Sequence, residues 1–360
     1  MKHLIDPTDL TKEEIDSIIS LAEDIIEHRD EYCEVLRYNK LATLFYEPST
    51  RTRLSFTSAM MELGGGVLGF SDAASSSVTK GETVADTVRV VENFSDIVAM
   101  RHSLEGAPLA ASMAASIPII NAGDGSHAHP TQTLTDLLTI KREIGHIDNI
   151  TIGFCGDLKF GRTVHSLIKA LCRYQGIKVI LIAPDELRLP SYIKQDVCDR
   201  QGVDYREVRT IEEVIGELDI LYMTRVQKER FLDEEEFNRV KDSFVLDSAR
   251  MAMAKKNMAV LHPLPRVNEI KQEVDADPRA AYFRQVGNGK FVRMALIYSL
   301  LKWKDDPSHT MPDRHFFEDD RLQCTNVKCI CNHESVRRLF HHSASGVIRC
   351  AYCDTMVEEK

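Results

Sequence analysis

The chain has 360 residues, 43% of them hydrophobic and 28% charged, with a formal net charge of −10. That is enough apolar sequence for two ordinary domains with buried cores and a small appendage, and no apolar run reaches the roughly 18 residues that a membrane span needs. A negative balance argues against nucleic-acid binding. It also makes arginines gathered at one site more telling, because local positive potential is then built against the global sign.

Met1 to Asp30 reads as an amphipathic acidic helix without the basic start, apolar core and small-residue cleavage site of a signal peptide, so a cytoplasmic address is expected. Apolar runs at Leu41 to Tyr46, Gly66 to Phe70, Asp96 to Met100 and Ile117 to Asn121 read as strands with helices between them. Such alternation implies right-handed βαβ units on a parallel sheet. A long helix from about Thr131 to Ile144 leads to a second series of strands near Ile150 to Cys155, Lys178 to Ile182, Val203 to Arg206, Asp219 to Met223 and Phe244 to Leu246. Val286 to Trp303 is a last long helix, expected to cross back to the first lobe, and the polar stretch Lys304 to Asp320 reads as a linker. The fold class is therefore α/β, with two parallel-sheet αβα lobes and a small C-terminal zinc-binding β module. Domains are expected at 1–144 and 145–285, with the returning helix at 286–303, the linker at 304–320 and the module at 321–360.

Ser49-Thr50-Arg51-Thr52-Arg53 falls at a strand-to-helix turn, since it follows Leu41 to Tyr46 and opens a segment of helical apolar spacing from Leu54 to Leu63. Free backbone N–H groups and the helix dipole favour an anion there, and two arginines with three hydroxyls add charge-assisted donors, which suits a phosphate. Taken alone, the same five residues also describe a Ser/Thr N-cap followed by solvated arginines. Ser49, Arg101, His129, Asp157, Arg225 and His262 all sit at or just past expected strand ends, where ligands bind in open α/β sheets, so one inter-lobe cleft is expected to collect them. Gly153, Gly156 and Gly161 do not have the spacing of a dinucleotide fingerprint.

Nine cysteines divide unevenly. Cys33, Cys155, Cys172 and Cys198 are scattered and read as buried free thiols. Cys324-x4-Cys329 and Cys350-x2-Cys353 supply two thiolate pairs, suited to a closed tetrahedral structural zinc. Cys331 is the odd thiol, and His333, His341 and His342 read as bystanders, with ligand exchange by Cys331 or a histidine left open. So few residues follow Cys324 that the metal is expected to supply the folding energy of the module.

The Ser49 motif, the loop Ser75 to Glu82, His129-Pro130-Thr131-Gln132, Arg225 to Arg230 and His262-Pro263-Leu264-Pro265-Arg266 recur in the order and approximate spacing of one family. The first 300 or so residues resemble the catalytic chain of the aspartate carbamoyltransferases, and the tail from about Arg321 resembles the zinc domain of that family's separate regulatory chain. The resemblance implies transfer of a carbamoyl group from carbamoyl phosphate to L-aspartate, the committed step of pyrimidine synthesis, with no cofactor for the chemistry. It assigns Ser49, Thr50, Arg51, Thr52 and Arg101 to the phosphate. Thr52, Arg101 and His129 go to the carbonyl oxygen where negative charge builds, and Gln132 with the carbonyls of Leu264 and Pro265 to the carbamoyl NH₂. Arg162, Arg225, Gln227 and Lys80 match aspartate-binding positions. Ser76 and Lys80 match residues that reach into a neighbouring subunit's site, which implies a homotrimer or a multiple of trimers. Glu47, Arg230 and Arg162 resemble the ion pairs that accompany domain closure, and Arg266 is equally compatible with a structural role. Two other functions compete for these motifs. An ornithine carbamoyltransferase shares the phosphate lobe but usually carries a His-Cys-Leu-Pro segment, where this chain has His262-Pro263-Leu264-Pro265. A catalytically dead scaffold conflicts with intact matched positions.

Overall fold

The computed structural model describes residues 1–72, 81–225 and 244–357. Its contacts divide the chain into two compact units, residues 1–134 with 289–360, and residues 135–288. None of the described helices is long and apolar enough to cross a membrane.

In the first unit, strands β1 (Lys40–Phe45), β2 (Gly66–Phe70), β3 (Ile97–His102) and β4 (Ile119–Asp124) form a parallel sheet in the order β2-β1-β3-β4. Helices α1 (Lys12–Glu27), α2 (Thr50–Glu62), α3 (Val84–Val91) and α4 (Ala107–Ala114) accompany it, and α5 (Pro130–Ile144) follows. Thr11 and Glu14 close a capping box on α1, which buries Ile15, Ile18, Ile19, Ala22 and Ile25 along one stripe. The N-terminal thirty residues are not one helix, however. Leu4 pairs with β4, its N–H donating to Ile119 O at 2.9 Å and its carbonyl accepting from Asn121 N at 2.7 Å. Pro7–Asp9 then forms a 3-10 turn before α1 begins.

The second unit holds β5 (Thr151–Cys155), β6 (Lys178–Ile182), β7 (Asp204–Val208), β8 (Ile220–Met223) and β9 (Ala259–Leu261) in the parallel order β7-β6-β5-β8-β9. Helix α6 (Arg162–Leu171) follows β5, and short helices α7 (Ser191–Ile193) and α8 (Ser248–Met253) lie further along. The expected strand at Phe244 to Leu246 is corrected by the structure. That segment makes a single bridge from Leu246 to Ile270, and Asp247 then caps α8, so the fifth ladder is filled by Ala259–Leu261 instead. Helix α9 (Tyr282–Trp303) ends this part of the chain.

The C-terminal module has three short antiparallel strands, β10 (Phe317–Glu318), β11 (Leu339–His342) and β12 (Ile348–Cys350). It does not stand apart. Leu322, Ile330, Leu339, Phe340 and Tyr352 share one buried cluster with Val84, Val88, Ala107 and Leu109 of the first unit. The segment expected as a solvated linker is likewise packed: Lys2 Nζ donates to Thr310 O at 2.8 Å, His309 meets Glu14 at 2.8 Å, and Arg314 forms an ion pair with the fully buried Asp9 carboxylate. The small module thus shares its core with α3 and α4 of the first unit.

Candidate functional site

Each sheet reverses its strand order once, between β1 and β3 in the first unit and between β5 and β8 in the second. Loops leaving the two strands beside such a switch point diverge, and the crevice at their carboxyl ends is where α/β proteins bind ligands. Ser49 follows β1 and Arg101 lies in β3 of the first unit, and Arg162 and Arg225 follow β5 and β8 of the second, while His129 and His262 follow the neighbouring strands β4 and β9.

In the first unit β1 runs into Glu47 and then α2, whose N-cap is Ser49. The Ser49 side chain makes no capping hydrogen bond, Thr52 is buried, and Thr50, Arg51 and Thr52 occupy the first turn. Arg101 lies near the carboxyl end of β3, where the ladder to β4 shifts register between Met100 and His102, an irregularity of the kind that re-aims a side chain. Its buried guanidinium places Nη2 2.9 Å from Glu47 Oε2 and Nη1 3.5 Å from Ala122 O. Partial desolvation and the neighbouring Arg101 charge hold Arg51 below the usual guanidinium pKa. Two like charges are therefore set against each other at a helix N-terminus, an arrangement that an anion relieves. His129 is buried just ahead of Pro130, the first residue of α5, with Nδ1 3.4 Å from Thr131 Oγ1; Gln132 N donates to His129 O at 3.0 Å.

Behind these residues stands a network absent from the sequence reading. Asp124, fully buried at the end of β4, accepts from Gly106 N at 2.8 Å, Asn121 Nδ2 at 2.9 Å and Ala128 N at 3.1 Å, and meets His127 Nδ1 at 3.0 Å. It fixes the loop after β3 against the loop leading to His129. The C-terminal module touches both loops. Glu105 N donates to Lys328 O at 2.8 Å and Glu105 O accepts from Ile330 N at 3.0 Å, while Asn326 Nδ2 donates to Glu105 Oε2 at 2.7 Å. Asp354 lies 3.5 Å from His127 Nε2. Gly106, at φ 79°, carries the closest approach: a Cβ there would stand 2.4 Å from Tyr352 Cβ.

In the second unit Arg225 is the second residue past β8, after Thr224, and Arg162 opens α6 behind Gly161. Thr224 ties the β8 end to β5, its N and Oγ1 donating to Cys155 O at 2.8 and 3.0 Å. Gly156, at φ 112°, permits that closeness, since a Cβ there would lie 2.5 Å from Thr224 O. The turn from His262 to Pro265 is held from both sides. Leu264 sits at φ 52° before a cis peptide bond to Pro265, and its N–H donates to His262 Nδ1 at 2.7 Å. His262 Nε2 meets Glu269 Oε1 at 2.7 Å, which fixes the tautomer with the proton on Nε2. A buried chain backs it: His262 N donates to Gln285 Oε1 at 2.9 Å, Gln285 Nε2 to Asp136 Oδ1 at 2.6 Å, and Tyr222 OH to Asp136 Oδ2 at 3.0 Å. Arg266 has a structural post, paired with Asp275 and hydrogen-bonded to Tyr282 OH at 3.0 Å. Ser76, Lys80, Gln227 and Arg230 lie outside the described residues.

The module gathers its cysteines. Sγ atoms of Cys324, Cys329, Cys331 and Cys350 all lie within 4.8 Å of one another, and Cys353 Sγ is 3.5 Å from Cys324 Sγ. A tetrahedron of thiolates at about 2.3 Å from a zinc ion has edges of about 3.8 Å; the Cys324–Cys353 and Cys329–Cys350 separations are 3.5 and 3.7 Å. The donor set therefore fits a soft divalent metal. His333 is turned to Val327 O at 2.6 Å and His341 to Asp354 at 3.0 Å, while His342 stacks on Phe317. Of the four scattered cysteines, Cys155, Cys172 and Cys198 are buried, but Cys33 is exposed on a turn, its thiol donating to Asp30 O.

Parallel sheets that gather arginines and hydroxyls at their switch points mark an enzyme that handles small anionic substrates. Residues 2–142 match the family model of the aspartate/ornithine carbamoyltransferase carbamoyl-P binding domain, residues 148–300 that of its Asp/Orn binding domain, and residues 319–360 the metal binding domain of the aspartate carbamoyltransferase regulatory chain. The chain is 63% identical over 301 residues to an aspartate carbamoyltransferase catalytic subunit of Lachnoclostridium phytofermentans, spanning 84% of this chain and 98% of that one. Against the Clostridium acetobutylicum catalytic subunit it is 60% identical over 300 residues, 83% of this chain and 98% of that one. Among solved structures, the catalytic subunit of M. jannaschii aspartate transcarbamoylase superposes with a TM-score of 0.79 at 47% identity, over 84% of this chain and 98% of that one. The Trypanosoma cruzi enzyme in complex with N-(phosphonacetyl)-L-aspartic acid gives 0.78 at 43%, over 83% and 95%. The chain belongs to the aspartate carbamoyltransferase family, and it carries the regulatory-chain metal-binding domain at its C-terminal end.

Proposed function

We propose that the chain transfers the carbamoyl group of carbamoyl phosphate to L-aspartate, giving N-carbamoyl-L-aspartate and phosphate in de novo pyrimidine (UMP) synthesis. The observation that carries this is the gathering of Ser49, Thr50, Arg51 and a buried Thr52 at the N-terminus of α2, with the buried Arg101 held 2.9 Å from Glu47, two residues before that turn. In this reading Ser49, Thr50, Arg51, Thr52 and Arg101 bind the phosphate. Gln132 and the carbonyls of Leu264 and Pro265 accept from the carbamoyl NH₂, and Arg162, Arg225 and Gln227 read the aspartate carboxylates. The neutral amine of aspartate attacks the carbonyl carbon, a C–N bond forms, and negative charge collects on the carbonyl oxygen, where Thr52, Arg101 and His129 donate. In this reading the Thr131 hydroxyl, 3.4 Å away, donates to Nδ1 of His129, and Nε2 carries the proton offered to the carbonyl oxygen. The C–O bond to phosphate then breaks, and the departing phosphate takes the proton released by the amine. Losing one preorganised donor of this kind lowers turnover by about 10²–10³-fold.

Glu47 holds Arg101 and, on closure, exchanges partners toward Arg162 and Arg230. Ser76 and Lys80 serve a neighbouring subunit's site, so the working form is a homotrimer or a multiple of one. Cys324, Cys329, Cys350 and Cys353 hold a structural zinc, which when bound supplies folding energy and no chemistry; reduced thiols in such number suit a cytoplasmic location. Arg225→Ala tests the substrate assignment. It should raise the aspartate KM by roughly 10²-fold or more, as expected for losing one charged partner at a buried site, with phosphate binding by the isolated enzyme kept. Near-normal turnover at low aspartate would sink the assignment.

A further inference from the structure

We propose that Cys331 is a fifth metal-facing thiol, and that the module holds its metal through either of two overlapping sets, Cys324, Cys329 and Cys350 being shared and Cys353 or Cys331 closing the tetrahedron. The inference rests on reading the cluster as a metal site. Cys331 lies on the 3-10 turn Ile330–Asn332 that follows directly from Cys329, and this turn brings its Sγ to 3.2 Å from Cys329 Sγ. Its thiol is within 4.8 Å of three other cysteine sulfurs, and it lines the same small cavity as Cys324 and Cys350. Cys353 reaches the cluster at Cys324, 3.5 Å away, with its thiol also donating to Thr355 Oγ1 at 3.2 Å.

Five thiols compete for four positions. Tetrahedral zinc takes four thiolates and closes its shell, so Cys331 is not a fifth simultaneous ligand; its 3.2 Å separation from Cys329 Sγ is that of a thiol hydrogen bond, about 0.6 Å short of a tetrahedral edge, a distance that a small movement covers. The spare thiol instead has a place as an S–H donor to a coordinated sulfur, as Cys331 is to Cys329. When either closing thiol is removed, the other takes its position with three ligands already in place. Loss of one thiol to oxidation or alkylation then leaves the metal bound.

The test uses the full chain as Cys331→Ser, Cys353→Ser and the double variant. Metal per chain is measured after purification, and sulfur-to-metal charge-transfer intensity after Co²⁺ loading counts the thiolates. Metal release to a chromogenic chelator is timed alongside. Both single variants should keep about one metal per chain with wild-type charge-transfer intensity and release rates within about twofold, while the double variant releases metal at least about tenfold faster or purifies without it. A drop in thiolate count in Cys353→Ser alone, or in Cys331→Ser alone, would show a single fixed set and overturn the proposal, and so would a double variant indistinguishable from wild type. The single variants decide the matter even when the double does not fold. Wild-type protein that binds neither zinc nor Co²⁺ would overturn the metal reading itself, an outcome distinct from all of these.

Discussion

Gly106→Ala tests how tightly the C-terminal module is joined to the phosphate-binding unit. Gly106 has φ 79°, and a Cβ added there would stand 2.4 Å from Tyr352 Cβ, 2.6 Å from Tyr352 O and 2.7 Å from Tyr352 Cα. Two of those three atoms are backbone, so the module must shift as a body. Placing a non-glycine residue in the left-handed region costs about 1–2 kcal/mol, and forcing an extra carbon into a packed contact adds about 1–3 kcal/mol. Gly346 supplies the control, because it has φ 82° and nothing within 4 Å of its would-be Cβ. Gly346→Ala should therefore show the conformational part alone, roughly 1–2 kcal/mol, and Gly106→Ala a total of roughly 2–5 kcal/mol. At about 3 °C per kcal/mol for a unit of this size, the expected shifts in Tm are about 3–6 °C and about 6–15 °C. Calorimetry reads the shifts, and hydrogen exchange at residues 102–106 and 124–128 locates them. Equal losses in the two variants, with unchanged exchange in those loops, would refute the reasoning that the module braces them.

Asp136→Ala should destabilise the second unit by about 2–6 kcal/mol, since two buried donors, Tyr222 OH and Gln285 Nε2, each lose a partner worth about 1–3 kcal/mol; a Tm within 1 °C or so of wild type would contradict this. Because Gln285 also holds His262 N, the same variant should raise the carbamoyl phosphate KM more than it lowers kcat. Glu269 gives a pH dependence. Burial pushes its carboxyl pKa up, but the hydrogen bond from His262 Nε2–H together with those from backbone N–H groups outweighs this and leaves it below the usual glutamate value. Its contribution is thus present above the unfolded pKa of about 4.3 and is lost as pH falls through the lower folded value. Glu269→Gln should be less stable than wild type at pH 7 and should lose less stability between pH 5 and 3; parallel pH curves in thermal unfolding would argue against the assignment.

Much of the fold is legible because parallel strands buried on both faces read as apolar runs. Lys178 to Ile182, buried from Val179 onward, matches β6 residue for residue, and Gly66 to Phe70 matches β2 although that edge strand is only part-buried. Phe244 to Leu246 has the same apolar character, yet its neighbours leave it one bridge, while Ala259–Leu261 is too short to stand out before His262-Pro263. The strand-to-helix turn at Ser49 is visible because hydroxyls and arginines before a helical apolar pattern are a local signal. Asp136 carries no local signal beyond being an acid in an amphipathic helix; its partners Tyr222 and Gln285 lie 86 and 149 residues away, and only the folded chain brings them together. Asp124 is hidden in the same way. Cysteine spacing shows the two pairs but not the turn at Ile330–Asn332 that swings Cys331 toward them.

The most direct test of the central claim is product analysis on one purified sample supplied with carbamoyl phosphate and, separately, L-aspartate or L-ornithine. The account predicts N-carbamoyl-L-aspartate and phosphate in equal amounts with aspartate and no citrulline with ornithine. Citrulline formation, or no turnover of aspartate at any concentration, would contradict it.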